Sequence, residues 1–300
     1  MKFLVTGGAG FIGSHIVKRL VEYGGEVVAL DNLSSGKIDN LNEVIKEIHF
    51  VEGDIRDLDL LIGLSKNVDY IFHESALTSV IESTEDPLKC NEINIRGTLN
   101  VFIAGLKNNV KRIIYASSSA VYGDSPVLPK KEDMKYVSEL YSKFFCDIYH
   151  LDIISLRYFN VYGPRQDPFS PYSAVIPKFI TSLLKDEPPT IYGDGKQTRD
   201  FIYVEDVVNA NILAIEKNYL SNKIFNIATG RGVSIIELFE MISKIMNKKI
   251  EPKYAPPRKG EIKDSYADIS LAKKELGFEP KFSLKEGLKR TIEWYLKIKS

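Results

Sequence analysis

The segment TGGAGFIGSH (6–15) carries three glycines at intervals of three residues, Gly7, Gly10 and Gly13. A short apolar run precedes it, and the spacing of apolar residues after it predicts a helix over 14–23. Glycines in this context allow a tight turn, a close approach of backbone N–H groups to phosphate, and close packing of the helix on the strand. The helix N-terminus adds partial positive charge. The segment therefore predicts a turn that holds the pyrophosphate of a dinucleotide.

Short apolar runs alternate with helical patterns through the first half of the chain. The predicted strands are 3–6, 26–31, 48–51, 70–73, 112–116 and 153–156, and helices are predicted at about 92–107 and 135–149. Apolar, β-branched strands that alternate with helices indicate a parallel sheet covered on both faces. The predicted fold class is α/β, a Rossmann-type doubly wound parallel sheet.

The composition changes after about residue 162, where prolines cluster and the loops lengthen. Runs at 201–204 and 224–228 are typical of strands that return to the main sheet, and 234–246 and 284–296 predict amphipathic helices. We therefore expect a dinucleotide-binding domain over 1–160, with 200–228 returning to it. A smaller, interleaved α/β substrate domain is expected over 161–199 and 229–300.

The bulk composition excludes several classes of protein. The chain has 300 residues, of which 44% are hydrophobic, with 40 basic and 40 acidic side chains, so neither nucleic acid nor an anionic membrane is an expected partner. Two cysteines outside any CxxC pattern and four scattered histidines predict neither a disulfide framework nor a metal site. No signal peptide or membrane-length apolar stretch is visible, so a cytoplasmic protein is expected.

Acidic residues at strand ends bear on which dinucleotide binds. Asp31 ends the second predicted strand, where a carboxylate accepts both adenosine ribose hydroxyls and repels a 2′-phosphate, which favours NAD over NADP. Lys37, shortly after it, could instead meet a phosphate. Asp54 has two interpretations, a contact to the adenine amine or the N-cap of a helix over 58–64.

A series of motifs in order along nearly the whole chain carries a resemblance. The motifs are TGGAGFIGSH (6–15), DNLSSG (31–36), VEGDIRD (51–57), NIRGT (94–98), ASSSAVYGD (116–124), SLRYFNVYGPRQ (155–166), GDGKQTRDFIYVEDV (193–207) and APPRKGE (255–261). The chain resembles the extended short-chain dehydrogenase/reductase family, specifically nucleotide-sugar epimerases of the UDP-glucose 4-epimerase type. The resemblance implies an isomerase that uses NAD to oxidise a UDP-sugar at C4 and returns the hydride to the opposite face, interconverting UDP-glucose and UDP-galactose.

The resemblance also implies roles for individual residues. Two are catalytic, Ser118 and Lys135. The implied cofactor contacts are Gly7, Gly10, Phe11, Ile12, Gly13, Asp31, Asn32, Ser35, Gly36, Asp54, Ile55, Leu77, Asn94, Lys135 and Phe159. The implied substrate contacts are Ser118, Asn160, Val175, Tyr192, Arg199, Arg258 and Ser265. Purely structural interpretations remain open, with Tyr192 in a core, the two arginines in surface ion pairs, Ser118 in packing and Lys135 in solvent.

Substrate choice and assembly follow less directly from the resemblance. Ser265 matches a position where a bulky residue narrows the sugar pocket, so a serine leaves room for an N-acetyl group. UDP-GlcNAc/UDP-GalNAc interconversion is therefore an alternative or a second activity. The family usually dimerises through a four-helix bundle, which makes helices 92–107 and 135–149 the candidates for a homodimer interface.

One departure from the family pattern concerns the catalytic base. The family places a tyrosine four residues before the lysine, but here that position is Lys131, and the chain is roughly ten residues short between Met134 and Lys135. Either the printed chain skips an internal segment of the natural protein, which the intact flanks favour, or the tyrosine is absent. In the second case we expect an NAD-binding protein with little epimerase activity. Chance Y-x-x-x-K spacings begin at Tyr192, Tyr219 and Tyr295, and their places in the chain do not fit the role.

Overall fold

The computed structural model describes residues 1–133, 136–168, 174–218, 220–257 and 262–299, without the side chains of 80, 81 and 299. The strands are β1 Lys2–Thr6, β2 Glu26–Asp31, β3 His49–Glu52, β4 Tyr70–His73, β5 Arg112–Ser118, β6 Ile153–Tyr158, β7 Asn160–Tyr162, β8 Thr190–Tyr192, β9 Thr198–Arg199, β10 Phe201–Tyr203, β11 Ile224–Ile227, β12 Val233–Ser234, β13 Lys253–Ala255 and β14 Asp264–Ser265. The α-helices are α1 Phe11–Glu22, α2 Leu58–Leu64, α3 Val80–Glu85, α4 Pro87–Asn91, α5 Thr98–Lys107, α6 Val137–Tyr149, α7 Val175–Leu184, α8 Val204–Glu216, α9 Ile235–Met246 and α10 Leu284–Lys299.

The described chain builds one seven-stranded sheet in the order β11-β6-β5-β4-β1-β2-β3, and its strands pair in parallel. Its apolar strands are buried on both faces, as the fully buried Phe3, Leu4 and Val5 of β1 illustrate. The order reverses at β1, which has β2 on one side and β4 on the other. Ligands bind at such a reversal, beyond the carboxyl ends of the strands. The predicted doubly wound parallel sheet is confirmed.

Helices cover the two faces of this sheet with separate apolar cores. Residues of α1 and α8 pack in one core with β1, β6 and β11. Residues of α2, α5 and α6 pack in the second, on the opposite side. A π-helical segment, Glu92–Gly97, leads directly into α5, so the helix predicted at 92–107 contains two kinds of turn. No helix of the described ranges is long and apolar enough to cross a bilayer.

The later part of the chain forms a third core from α7, α9 and α10 against β10. Strand β11 joins the main sheet beside β6. The expectation that 201–204 also returns to that sheet is wrong, because β10 pairs instead with β7 in a separate two-stranded sheet. The reason lies at Phe159, where the chain leaves β6 and starts a new strand beyond the sheet's carboxyl edge.

Candidate functional site

The glycine-rich turn lies between β1 and α1, at the reversal of strand order. The backbone N–H of Gly10 donates to the carbonyl oxygen of Gly7 at 3.0 Å, and Gly7 itself has a φ of +69°. A Cβ at Gly13 would lie 2.1 Å from that same oxygen, so residue 13 has no room for a side chain. The close packing brings the first N–H groups of α1 to the strand's carboxyl end, where an anion would meet them.

The carboxylate of Asp31, at the end of β2, is buried against this turn. It accepts hydrogen bonds from the backbone N–H of Ala9 at 2.9 Å and of Leu33 at 2.8 Å. Burial raises the pKa of Asp31, and these backbone donors partly oppose the rise. A Cβ at Gly36 would lie 2.7 Å from Asp31 Oδ1, so Gly36 lets the following loop close over the carboxylate. Asp31 thus holds the turn in shape, and its contact to a ribose stays a prediction.

Asp54 follows β3 and lies beside Asn32, whose amide donates to Asp54 Oδ2 at 2.9 Å. Arg56 donates to both oxygens of Asp54, at 2.9 and 2.8 Å, and holds the pKa of this carboxyl at about 2. The N-cap interpretation of Asp54 is wrong, since the cap of α2 is Asp57, which accepts from the Leu60 N–H at 2.9 Å. Of the neighbouring candidates, Ser35 is exposed and Ile55 is buried.

The loop after β4 is held by the side chain of Asn94, in the π-helical segment. Its Oδ1 accepts from the Leu77 N–H at 2.8 Å, and its Nδ2 donates to the Leu77 carbonyl at 2.9 Å. Two residues that the resemblance marks as cofactor contacts therefore lie in direct contact, 17 positions apart in the chain.

A buried histidine connects β1 with α5 beneath the turn. His73 Nδ1 lies 2.7 Å from the Thr6 hydroxyl, and Nε2 lies 3.0 Å from the Thr98 hydroxyl. Burial lowers the pKa of His73 to about 3, so the ring is neutral at physiological pH.

Ser118 ends β5, next to Tyr158 of β6 in the strand register, and its side chain is exposed. Its hydroxyl oxygen accepts from the Ala120 N–H at 3.1 Å. The chain then continues from Tyr158 into Phe159, which is buried against Tyr122, and into Asn160. Ser118, Phe159 and Asn160 thus lie at the carboxyl edges of adjacent strands.

A buried ion pair fixes α6 behind Ser118. Glu139 of α6 and Arg157 of β6 are 2.7 Å apart, and both side chains are almost fully buried. Glu139 also accepts from the Ser117 hydroxyl at 2.7 Å, while Arg157 donates to the Tyr122 hydroxyl at 2.8 Å. Burial raises the pKa of Tyr122 to about 12, so it stays protonated. Lys135, two positions before α6, lies outside the described residues.

A carboxyl group that the sequence analysis did not single out lies beside the glycine-rich turn. Glu74 follows β4, and a Cβ at Gly7 would lie 2.9 Å from its backbone carbonyl carbon. The Tyr158 hydroxyl donates to Glu74 Oε1 at 3.0 Å and accepts from Asn211 Nδ2 at 2.8 Å. Burial raises the pKa of Glu74 to about 8 and also raises that of Tyr158. A carboxyl group here is therefore largely protonated at neutral pH.

A cavity of about 340 Å³ opens among β7, β8, β9 and α7. Four of the predicted substrate contacts line it, namely Asn160, Val175, Tyr192 and Arg199. Lys178, Phe179 and Gln197 also line it and were not predicted. Val175, Lys178 and Phe179 lie three and four positions apart on α7, so helical spacing was the signal that could have found them.

The two remaining predicted substrate contacts besides Ser118 follow later in the chain. Ser265 of β14 is the strand partner of Arg199 in β9. Arg258 lies outside the described residues, three positions after β13, whose last residue pairs with Tyr192. The strand pairings therefore join three segments that are distant in sequence around one cavity.

Comparisons with known proteins identify the family of the chain. A family model described as NAD dependent epimerase/dehydratase family matches residues 3–228. A putative UDP-glucose 4-epimerase of Methanocaldococcus jannaschii is 42% identical over 304 residues, covering 97% of each chain. A UDP-N-acetylglucosamine 4-epimerase of Methanobrevibacter ruminantium M1, in complex with UDP-N-acetylmuramic acid, is 45% identical with a TM-score of 0.95, covering 99% of this chain and 98% of that one.

The UDP-glucose 4-epimerase of Thermotoga maritima, solved with UDP-glucose, is 42% identical with a TM-score of 0.95, and each chain is covered completely. The chain therefore belongs to the NAD dependent epimerase/dehydratase family. Its cofactor is NAD.

We expect Gly13→Ala to weaken NAD binding by at least about tenfold, since the new methyl would displace the Gly7 carbonyl and open the turn. Titration calorimetry with NAD measures the effect. Gly63→Ala is the matched control, because a Cβ there meets nothing within 4 Å in α2 and should preserve NAD affinity. Equal NAD affinity in the Gly13 variant and the parent would contradict this account of the turn.

We expect Glu74→Gln to stabilise the protein relative to the parent, and the difference in the free energy of unfolding to grow between pH 5 and pH 8. The unfolded carboxyl loses its proton near pH 4.5 and the folded one near pH 8, so rising pH favours unfolding of the parent over this window. Glutamine does not titrate, so the gain should reach roughly 2 kcal/mol or more at pH 8. Urea unfolding at both pH values measures it, with the exposed Glu85→Gln as control. A gain that is the same at pH 5 and pH 8 would refute the raised pKa.

Proposed function

We propose that this chain is built as an NAD-dependent nucleotide-sugar 4-epimerase that interconverts UDP-glucose and UDP-galactose by reversible oxidation at C4. The observation that carries the proposal is that β6 and the residues directly after it connect the strand edge at Ser118 with the cavity. Tyr158 pairs in register with Ser118, and Asn160, two residues further on, lines the cavity with Arg199. A sugar carried by a nucleotide diphosphate in the cavity would thus extend toward the strand edge where the glycine-rich turn lies.

The glycine-rich turn fits the pyrophosphate of NAD, because Gly7 and Gly13 have no room for side chains and the backbone therefore packs closely enough to present the first N–H groups of α1 to an anion. We assign the adenosine end to Asp31, Asn32, Ser35, Gly36, Asp54 and Ile55, and the other contacts to Phe11, Ile12, Leu77, Asn94, Lys135 and Phe159. NAD, when bound, supplies a reversible hydride acceptor. The buried Asp31 carboxylate supports NAD over NADP, since a 2′-phosphate would meet its negative charge.

The cavity fits a nucleotide diphosphate through its polar lining. Arg199 lies where a planar guanidinium could pair with phosphate oxygens, and Asn160 offers an amide beside it. Arg258 would add a second guanidinium, and Val175 and Tyr192 would border the base or ribose. The exposed hydroxyl of Ser118 is the group we assign to the sugar's 4-hydroxyl.

The proton from that 4-hydroxyl needs a base, and the described residues do not supply a ready one. Tyr136 precedes α6 directly, but burial raises its pKa. Burial likewise raises the pKa of Tyr122, which follows Ser118 in the chain, and of Tyr158, its partner in β6. A tyrosinate needs the opposite shift. Because Lys131 stands where the family places its tyrosine, four residues before Lys135, we propose that the chain binds cofactor and substrate but turns over slowly.

We expect the chain as printed to convert neither UDP-galactose nor UDP-GalNAc appreciably when incubated without added NAD. A variant with a family-length segment between Met134 and Lys135, which places a tyrosine four residues before Lys135, should gain at least about 100-fold, because it restores a positioned base. Product analysis by chromatography measures both. The same insertion with phenylalanine at that position is the control. No conversion by the tyrosine insertion would overturn the epimerase proposal.

A second candidate substrate pair is UDP-GlcNAc and UDP-GalNAc, together with or in place of the hexoses. Ser265 supports it, because a small side chain on the strand beside Arg199 leaves room for an N-acetyl group. The related Methanobrevibacter protein is a UDP-N-acetylglucosamine 4-epimerase.

Ser265→Tyr should weaken binding of UDP-GalNAc by about tenfold more than binding of UDP-galactose, because the ring would occupy the N-acetyl space. Calorimetry on the two nucleotide sugars measures the ratio without requiring turnover. Ser265→Ala is the matched control and should keep the parent ratio. An unchanged ratio in the tyrosine variant would rule out this role for Ser265.

We also propose a homodimer through α6. Val137, Leu140, Tyr141, Phe144 and Ile148 recur at helical spacing along α6, and each is between 38% and 59% exposed. A stripe of this kind on a single helix is typical of a protein–protein interface. Two copies of α6, each with its neighbour α5, would cover one another's apolar faces.

A further inference from the structure

Asp200 is a fully buried carboxylate between Arg199 and Phe201, and none of the roles assigned above includes it. Its Oδ1 accepts from the backbone N–H of Thr229 at 2.8 Å and from the Thr229 hydroxyl at 2.6 Å. Its Oδ2 accepts from the N–H of Gly230 at 2.9 Å and from that of Ala267 at 3.3 Å. Four neutral donors thus satisfy the carboxylate.

The backbone carbonyl of Asp200 binds Asn160, at the start of β7. Its carbonyl oxygen accepts from the backbone N–H of Asn160 at 3.1 Å and from the Asn160 side-chain amide at 3.0 Å. The side-chain amide that lines the cavity therefore takes its orientation from residue 200. Arg199, the neighbour of Asp200 in the chain, lines the same cavity.

These contacts join three segments that are far apart in sequence, and one of them, at Asn160, lines the cavity. Two are loops, after β11 at Thr229 and after β14 at Ala267, and the third is the start of β7 at Asn160. The donors all point at one carboxylate, so only a residue with two acceptor oxygens satisfies them at once. An asparagine would turn an amide NH₂ toward two of the four donors, leaving buried groups unpaired.

We propose that Asp200 is the positioning residue of the nucleotide-sugar site, which sets Arg199 and Asn160 against the diphosphate by drawing the Thr229–Gly230 and Ala267 loops together. The proposal rests on the proposed UDP-sugar function of the cavity. It predicts that a change at Asp200 weakens UDP binding selectively, since Asp200 holds Asn160 and adjoins Arg199, which line the cavity, and its described hydrogen bonds do not reach the glycine-rich turn.

The experiment compares Asp200→Asn with the parent by titration calorimetry, using UDP and NAD separately. We expect UDP affinity to fall by about tenfold or more and NAD affinity to stay within about twofold. Amide hydrogen exchange should accelerate at Thr229, Gly230 and Ala267 and remain unchanged across the glycine-rich turn. The matched control is Asp206→Asn, since Asp206 is also buried and accepts from two backbone N–H groups, at Lys281 and Phe282. That variant should lose stability but keep its affinity for UDP.

A double-mutant cycle tests whether Asp200 acts through Arg199. In an Arg199→Ala background, Asp200→Asn should cost much less UDP affinity than it does in the parent. Equal losses of UDP and NAD affinity, an equal UDP loss in the Asp206 variant, or additive losses in the cycle would each overturn the positioning role while leaving the proposed function intact. A parent protein that binds NAD but not UDP would overturn the proposed function, and the inference with it.

Discussion

The carbonyl oxygen of Gly7 lies 2.1 Å from the place where a side chain at residue 13 would begin. This contact brings α1 onto β1 more closely than a helix and strand with ordinary side chains could pack. The closeness lets Asp31, at the end of the neighbouring strand, accept a hydrogen bond from the turn itself. The adjacent strand on the other side, β4, is followed directly by Glu74, whose backbone packs against Gly7. The turn is therefore clamped between both neighbours of β1 at the point where strand order reverses.

The rest of the active region depends on how β6 leaves the sheet. Arg157 is buried and paired with Glu139, so α6 is held against the carboxyl end of that strand. Removing one partner of such a pair would leave an unpaired charge in the interior. The chain then changes direction at Phe159 and begins β7, which carries Asn160 into the cavity. One continuous stretch thus connects the carboxyl edge of the main sheet with the cavity, the two places to which we assign cofactor and substrate. This continuity fits the predicted interleaving of a second domain with the first, which stays a prediction.

Much of this arrangement could be predicted from the sequence where the determining interactions are local. Glycine spacing and apolar periodicity act over a few residues, so the turn, β2 and β4 were placed well. One of the two interpretations of Asp54 was wrong, because whether a carboxylate caps a helix depends on the intervening turn, and here Asp57, three residues later, directly precedes α2. Glu74 was missed because its partner, Tyr158, is 84 residues away, and β10 was misplaced because strand partners are chosen in three dimensions. Asp200 has no local signature, since each of its side-chain donors comes from a later loop.

The buried histidine has a consequence for how hydrogen atoms are arranged beneath the turn. Thr98 has one hydroxyl hydrogen and donates it to the Asn94 carbonyl at 2.7 Å, so it can only accept from His73 Nε2. His73 therefore carries its hydrogen on Nε2, and its bare Nδ1 accepts from the Thr6 hydroxyl. The ring is locked into a single tautomer, and the bonds run in one direction from β1 to the segment that carries Asn94. His73 is thus a fixed dipole and not a proton carrier. The directed hydrogen bonds start at Thr6 of β1, which leads into the glycine-rich turn, and end at the backbone carbonyl of Asn94, whose side chain binds Leu77.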